Sequence, residues 1–149
     1  MNGSSEPKNN IERITSVSDA LISQINPLFD EEWDLEQGEK FLSNPDNALF
    51  LAFVEGAAAG FLTAYRLQRF DYKKVEVLLY EIGVEEEFQR QGIATKLIEA
   101  VKDWAAEVGA AELWVLTYSS NEAAMALYKS CGGEEDEPGT RMFTFKLEY

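Results

Sequence analysis

The residues best suited to chemistry stand together in one run, Gln89-Arg90-Gln91-Gly92, followed by Ile93-Ala94-Thr95 and a helical apolar pattern. A helix N-terminus leaves backbone N–H groups unpaired and carries partial positive charge, which suits a phosphate. Gly92 puts no Cβ between backbone and ligand, and Arg90 adds a forked, permanently charged donor. The run lacks the Gly-Lys-Ser/Thr of a Walker loop and two of the three glycines of a dinucleotide fingerprint. On spacing alone, an ordinary strand-to-helix turn is the simpler account. Glu85, Glu86 and Glu87, just before it, count against an anion site unless they face solvent. The chain has no histidine, which excludes a His-based triad and argues against zinc or another transition metal. A general base must then be a carboxylate, a tyrosine, a lysine or a relayed water. The one cysteine, Cys131, allows no intrachain disulfide and fits a reducing, cytoplasmic setting. It reads as a small helix-end residue rather than a nucleophile.

These residues need elements to position them. Leu21, Ile22, Ile25, Leu28 and Phe29 recur at helical spacing behind a cap at Ser18 or Asp19. An acidic loop with a short helix follows, closing in a turn at Asn44-Pro45-Asp46-Asn47. Residues 48–67 are two strand-like runs hinged at Glu55-Gly56, a hairpin, and residues 74–84 add a third strand ending near Val84. The next helix buries Ile93, Leu97, Val101, Trp104 and Val108 and stops at Gly109. A strand over 111–118, a helix over 121–133 and a last strand over 141–149 complete the order. This order predicts a mixed α/β domain over residues 1–149, with a parallel, right-handed crossover from Val75 to Tyr118. The polar first ten residues are expected to be flexible and have no apolar core of a secretory signal.

Thirteen basic residues against 27 acidic ones leave a formal charge of −14. Such a field repels nucleic acid and anionic membrane and attracts cations, although it also serves solubility alone. No apolar run approaches the roughly 20 residues that a bilayer crossing needs.

Residues 83–101 resemble the central motif of the GNAT superfamily of N-acetyltransferases, Gln/Arg-x-x-Gly-x-Gly/Ala, here Gln89-x-x-Gly92-x-Ala94. Residues 121–133 resemble that superfamily's Asn-x-x-Ala-x-x-Leu-Tyr-x-x-x-Gly, with Asn121, Ala124, Leu127, Tyr128 and Gly132 in register. The aromatic that usually follows is replaced by Gly133. With the element order, the resemblance covers Ala48 to Leu147. It implies a mostly antiparallel, twisted mixed sheet with flanking helices, splayed where acetyl-CoA binds. It also implies direct acetyl transfer in a ternary complex, with no acyl-enzyme and no metal.

By the same resemblance, Gln89, Arg90, Gln91, Gly92, Ile93, Ala94 and Thr95 would hold the pyrophosphate of acetyl-CoA. Backbone N–H groups of Ile82, Gly83 or Val84 would hold the oxyanion, with Gly83 supplying a bulge. Glu81 would be the base, buried between Tyr80 and Ile82 and so raised in pKa by desolvation. Tyr128 would protonate the CoA thiolate, and Asn121 would cap its helix and touch the cofactor. Each has an ordinary alternative: a solvent-facing strand carboxylate, a half-buried helix aromatic, a plain N-cap.

Within the superfamily, residues 75–98 are similar to the small aminoglycoside 3-N-acetyltransferases. Tyr80-Glu81-Ile82-Gly83-Val84 stands where those have Tyr-Asp-Leu-Ala-Val, and Gln91-Gly92-Ile93-Ala94-Thr95 and Ala126-Leu127-Tyr128 match directly. The implied acceptor is an aminoglycoside amine at the 3 position, with antibiotic resistance as the outcome. Glu81 lengthens their aspartate by one methylene, and Tyr118-Ser119-Ser120 replaces residues that are typically acidic. Asp30, Glu31, Glu32 and Asp34 around Trp33, and Glu134, Glu135 and Asp136 before the last strand, are expected to flank the acceptor cleft. They would draw in a polycation, with Trp33 as a sugar platform or a cover of the core and Tyr80 beside the site. The other acceptor classes are a polyamine, an amino sugar or a peptide amine; the non-enzyme alternative is a CoA-binding domain. The resemblance also implies a homodimer through the C-terminal strands.

Overall fold

The computed structural model describes residues 8–137 and 139–147. The chain divides into two compact units, one ending at Leu116 and one beginning at Thr117. The first holds a five-stranded sheet in the order β1-β2-β3-β4-β5. Its strands are β1 (Asn9–Ile14), β2 (Asn47–Val54), β3 (Ala57–Leu67), β4 (Glu76–Val84) and β5 (Leu113–Val115). Neighbours among β1 to β4 run antiparallel, and β5 joins β4 in parallel, as the strand-helix-strand passage predicts.

β2 and β3 meet in a two-residue turn. Glu55 and Gly56 have φ of 50° and 82°, the left-handed pair whose twist matches the flanking strands. Three helices belong to this unit: α1 (Asp19–Ile25), α2 (Leu35–Ser43) and α3 (Ile93–Glu107). Ser18, rather than Asp19, caps α1, its Oγ accepting the N–H of Leu21 at 3.2 Å. One sheet face packs against α1 and α2, where Ile25 clusters with Leu49, Leu51 and Phe61. The other packs against α3, whose Trp104 ring meets Phe50 with centroids 6.4 Å apart. With both faces covered, β2 is apolar without alternation from Ala48 to Val54, and Ala48 to Ala52 are buried. Leu97 and Val101 are fully enclosed, each contributing about 1.5–3 kcal/mol. Ile98 and Ala105 join the buried stripe of α3, whereas Val108 is its half-buried cap residue.

The structure corrects the expected order at both ends. Asn9 and Asn10, inside the stretch expected to be flexible, pair with Val54 and Phe53 in β1. Only Ile11 and Ile14 are apolar in that strand, so it has no readable alternation; the ladder to β2 holds it. The rest of the expectation, residues 1–7, lies outside the described residues. β5 spans three residues instead of the expected eight. In the second unit, α4 (Glu122–Ser130) forms as expected, but residues 141–147 do not form a strand. Phe143 and Phe145 are 81% and 86% exposed: alternation marks a strand-capable segment but does not provide an edge to pair with. Among the described residues no helix is long and apolar enough to cross a membrane.

Candidate active site

β4 has a strand on both sides only as far as Leu79. Val77, Leu78 and Leu79 pair with β5, while from Tyr80 to Val84 β3 is the only strand alongside among the described residues. The sheet is therefore splayed at Tyr80, leaving one edge of β4 with main-chain groups that no strand among the described residues pairs. An open edge of this kind accepts an extended arm as an added strand. At the same point the β3–β4 register shifts: Thr63 stands opposite Glu81, but Ala64 stands opposite Leu79. Tyr80 is the extra residue, so the bulge lies at Tyr80–Glu81 and not at Gly83. Gly83 is small for packing, since a Cβ there would lie 2.8 Å from Cε1 of Phe61.

A bulge re-aims successive side chains. Tyr80 and Glu81 are both exposed, which corrects the expectation of a carboxyl buried between Tyr80 and Ile82. The Tyr80 ring meets Tyr65 at 5.3 Å, and Tyr65 meets Phe41 of α2 at 6.0 Å, placing the cluster on the α1/α2 face. Burial first, then the proximity of Tyr80 and of Glu81, pushes the Tyr65 phenol above its ordinary 10.0. Thr63 and Tyr65 escape a motif search. Their signal is a period-two pair of polar tips on one face of a strand that is apolar from Ala57 to Ala64 apart from Thr63.

Beyond β4, a 3-10 turn over Glu86–Phe88 leads into the loop before α3. Gln89 Nε2 donates to the carbonyl of Val84 at 3.0 Å, and Gln91 Nε2 reaches the carbonyl of Glu87 at 3.4 Å. Both glutamines thus brace the loop against its own backbone. Arg90 and Gly92 have φ of 63° and 78°, so an arginine is held in a region that glycine prefers. Gly92 caps α3 with no side-chain hydrogen bond, and the first N–H bonded back into the helix is that of Lys96, to the Gly92 carbonyl at 3.1 Å. The amides of Ile93, Ala94 and Thr95 form the open first turn. A Cβ on Gly92 would meet nothing within 4 Å, and Arg90 is exposed beside it. Buried Ile93 anchors the turn to the core. Open amides, free space and an adjacent guanidinium fit the diphosphate of a coenzyme A group. Glu86 and Glu87 are exposed, while Glu85 is half-buried and donates its N–H to the Ala59 carbonyl at 2.8 Å.

The first acidic segment lies on the α1/α2 face. Phe29, just before it, packs on Phe61 with centroids 4.4 Å apart, and Phe61 stands opposite Gly83. Asp30, Glu31 and Glu32 are exposed. Trp33 is half-buried against Phe29 and over Gly38, where a Cβ would lie 2.5 Å from Cζ3. Trp33 therefore covers the core. The carboxylate of Asp34 caps α2, accepting the Gln37 N–H at 2.9 Å.

In the second unit, Asn121 caps α4 through Oδ1, which accepts the Ala124 N–H at 3.1 Å. Tyr128 is half-buried on that helix, and burial raises its phenol above 10.0. Its carbonyl accepts the Gly133 N–H at 2.9 Å, closing the helix end beyond Gly132. Glu134, Glu135 and Asp136 follow in exposed coil.

Residues 17–133 match the family model described as the acetyltransferase (GNAT) family. The aminoglycoside N(6′)-acetyltransferase type 1 of Salmonella typhimurium (strain LT2) is 31% identical over 122 residues, 78% of this chain and 83% of that enzyme. The ribosomal protein bS18-alanine N-acetyltransferase of Escherichia coli (strain K12) is 42% identical over 60 residues, and the match spans only 40% of either chain. An aminoglycoside acetyltransferase from an uncultured soil metagenomic sample, solved with sisomicin, has TM-score 0.79 and 27% identity, covering 93% of this chain and 97% of that one. With the splayed β4, the open loop before α3 and the capped α4 all inside the matched region, the chain belongs to the acetyltransferase (GNAT) family.

Proposed function

We propose that this protein transfers acetyl from acetyl-CoA to an amine of an aminoglycoside, directly and within a ternary complex. When bound, acetyl-CoA supplies the acyl group as a thioester. The amides of Ile93, Ala94 and Thr95, with Arg90 beside them, would hold its diphosphate. The open edge from Tyr80 to Val84 would take the extended arm. Outward N–H groups among Ile82, Gly83 and Val84 would receive negative charge developing on the acyl oxygen. Glu81 would remove the ammonium proton, directly or through water, and Tyr128 would return a proton to the leaving sulfur.

The observation that carries this reading is the coincidence of splay and bulge at Tyr80–Glu81. It sets a carboxylate where the open edge of β4 meets the face bearing Asp30, Glu31 and Glu32. Exposed acids on a chain of charge −14 suit a polycation. The motif resemblance implies the 3-amino group, but the Salmonella relative is named for the 6′ amine, which becomes our first choice of position. The local 42% identity to the ribosomal-protein enzyme supports one other acceptor, a peptide α-amine.

The test is CoA release with sisomicin, kanamycin, spermidine and an alanine-first peptide, with NMR of any acetylated product. Turnover of the aminoglycosides with a 6′-acetyl product is expected. Turnover of the peptide alone would move the protein to the second reading, and no turnover of any amine would remove the catalytic one.

A further inference from the structure

We propose that Thr63 is a positioning residue for the reaction, its hydroxyl orienting the Glu81 carboxylate across the β3–β4 pair. The inference rests on the reading of Glu81 as the base. Thr63 and Glu81 are register partners and so share the α1/α2 face. Directly opposed residues on an antiparallel pair have Cβ atoms about 4.5–5.5 Å apart, close enough for their side chains to interact.

The bulge makes this pairing. If the register of Ala64 opposite Leu79 continued unshifted, Thr63 would face Tyr80. The extra residue brings Glu81 there instead. Thr63 Oγ1 is enclosed and makes no hydrogen bond in the structure. Native proteins rarely leave an enclosed hydroxyl unpaired, and packing does not require one here, because valine would fill the same space without a polar atom. A hydroxyl has a donor to give, and the residue opposite is a carboxylate. Donation favours the charged form of that carboxylate and fixes its direction.

Tyr65 on β3 and Tyr80 beside it on β4 lie close to Glu81, and Asp30, Glu31, Glu32 and the capping Asp34 belong to the segment on the same sheet face. All of them persist in a Thr63 variant, so a difference between variants isolates the hydroxyl.

The experiment compares wild type, Thr63→Val, Thr63→Ser and Glu81→Gln. The readouts are kcat against pH with the amine found above, and a carbon-13 titration of Glu81 in CoA-saturated protein. In Thr63→Val we expect kcat to fall about tenfold. The Glu81 midpoint and the acid limb should both move upward by about half a pH unit or more. Thr63→Ser should restore both. An unchanged Glu81 midpoint in Thr63→Val, or no rescue by serine, overturns the proposal while leaving Glu81 as base. Full activity in Glu81→Gln would instead remove the base, and this proposal with it.

Discussion

Gly92 sits at φ 78° with open space where a Cβ would project. Alanine there would cost about 1–2 kcal/mol from the left-handed backbone, with no clash inside the protein. Its methyl would point where the diphosphate is proposed to lie. Gly92→Ala should therefore lower Tm by several degrees and raise KM for acetyl-CoA; a lower Tm with unchanged KM would show that the loop does not hold the ligand. Tyr128 carries a pH prediction. Its phenol lies above 10.0 because it is buried, so its proton is retained through neutral pH. The corresponding stability is fully present below the unfolded value and lost as pH rises through the folded one. If Tyr128 is the acid, the alkaline limb of kcat should lie above pH 10.0, and Tyr128→Phe should lower kcat by about a hundredfold or more. A phenylalanine variant at full rate would reduce Tyr128 to a packed aromatic.

Elements separate two roles within one acidic run. Asp34 caps α2, so Asp34→Ala should cost about 0.5–2 kcal/mol, seen as lower Tm, whereas Asp34→Ser should keep the cap. If its charge plays no part in capture, the serine variant also keeps the KM for the acceptor. Combined Asp30→Asn, Glu31→Gln and Glu32→Gln should do the reverse, raising KM for a polycation with little change in Tm. The elements also show what was readable. The α3 helix, its start at Gly92 and the Glu55-Gly56 hairpin were legible because each depends on residues a few positions apart. β1 was not, because Asn-Asn-Ile-Glu-Arg-Ile has no strong strand pattern and is defined by its partner. Removing residues 1–14 should expose the β2 edge and lower stability markedly, which thermal denaturation would reveal.

For the molecule as a whole, charge is the main lever on encounter. At −14 the protein should capture a cationic acceptor faster at low salt, because screening shortens to about 10 Å at 0.1 M. Added salt should lower kcat/KM for an aminoglycoside while leaving that for acetyl-CoA, an anion, unchanged or higher. Equal salt responses would mean that the acids serve solubility alone. The starts of α3 and α4 are legible from short runs of sequence, whereas the phosphate-loop reading and the roles of Asn121, Glu81 and Tyr128 come from the resemblance of those runs to the GNAT motifs. Local order suffices for those starts because a helix start or cap is determined within one turn by its own φ angles and hydrogen bonds. The bulge at Tyr80, the exposure of Glu81, the closing of β5 at Val115 and the approach of Thr63 and Tyr65 were decided only in three dimensions. Each depends on register between strands, and register is a property of two segments and of the face they share, not of either segment read by itself.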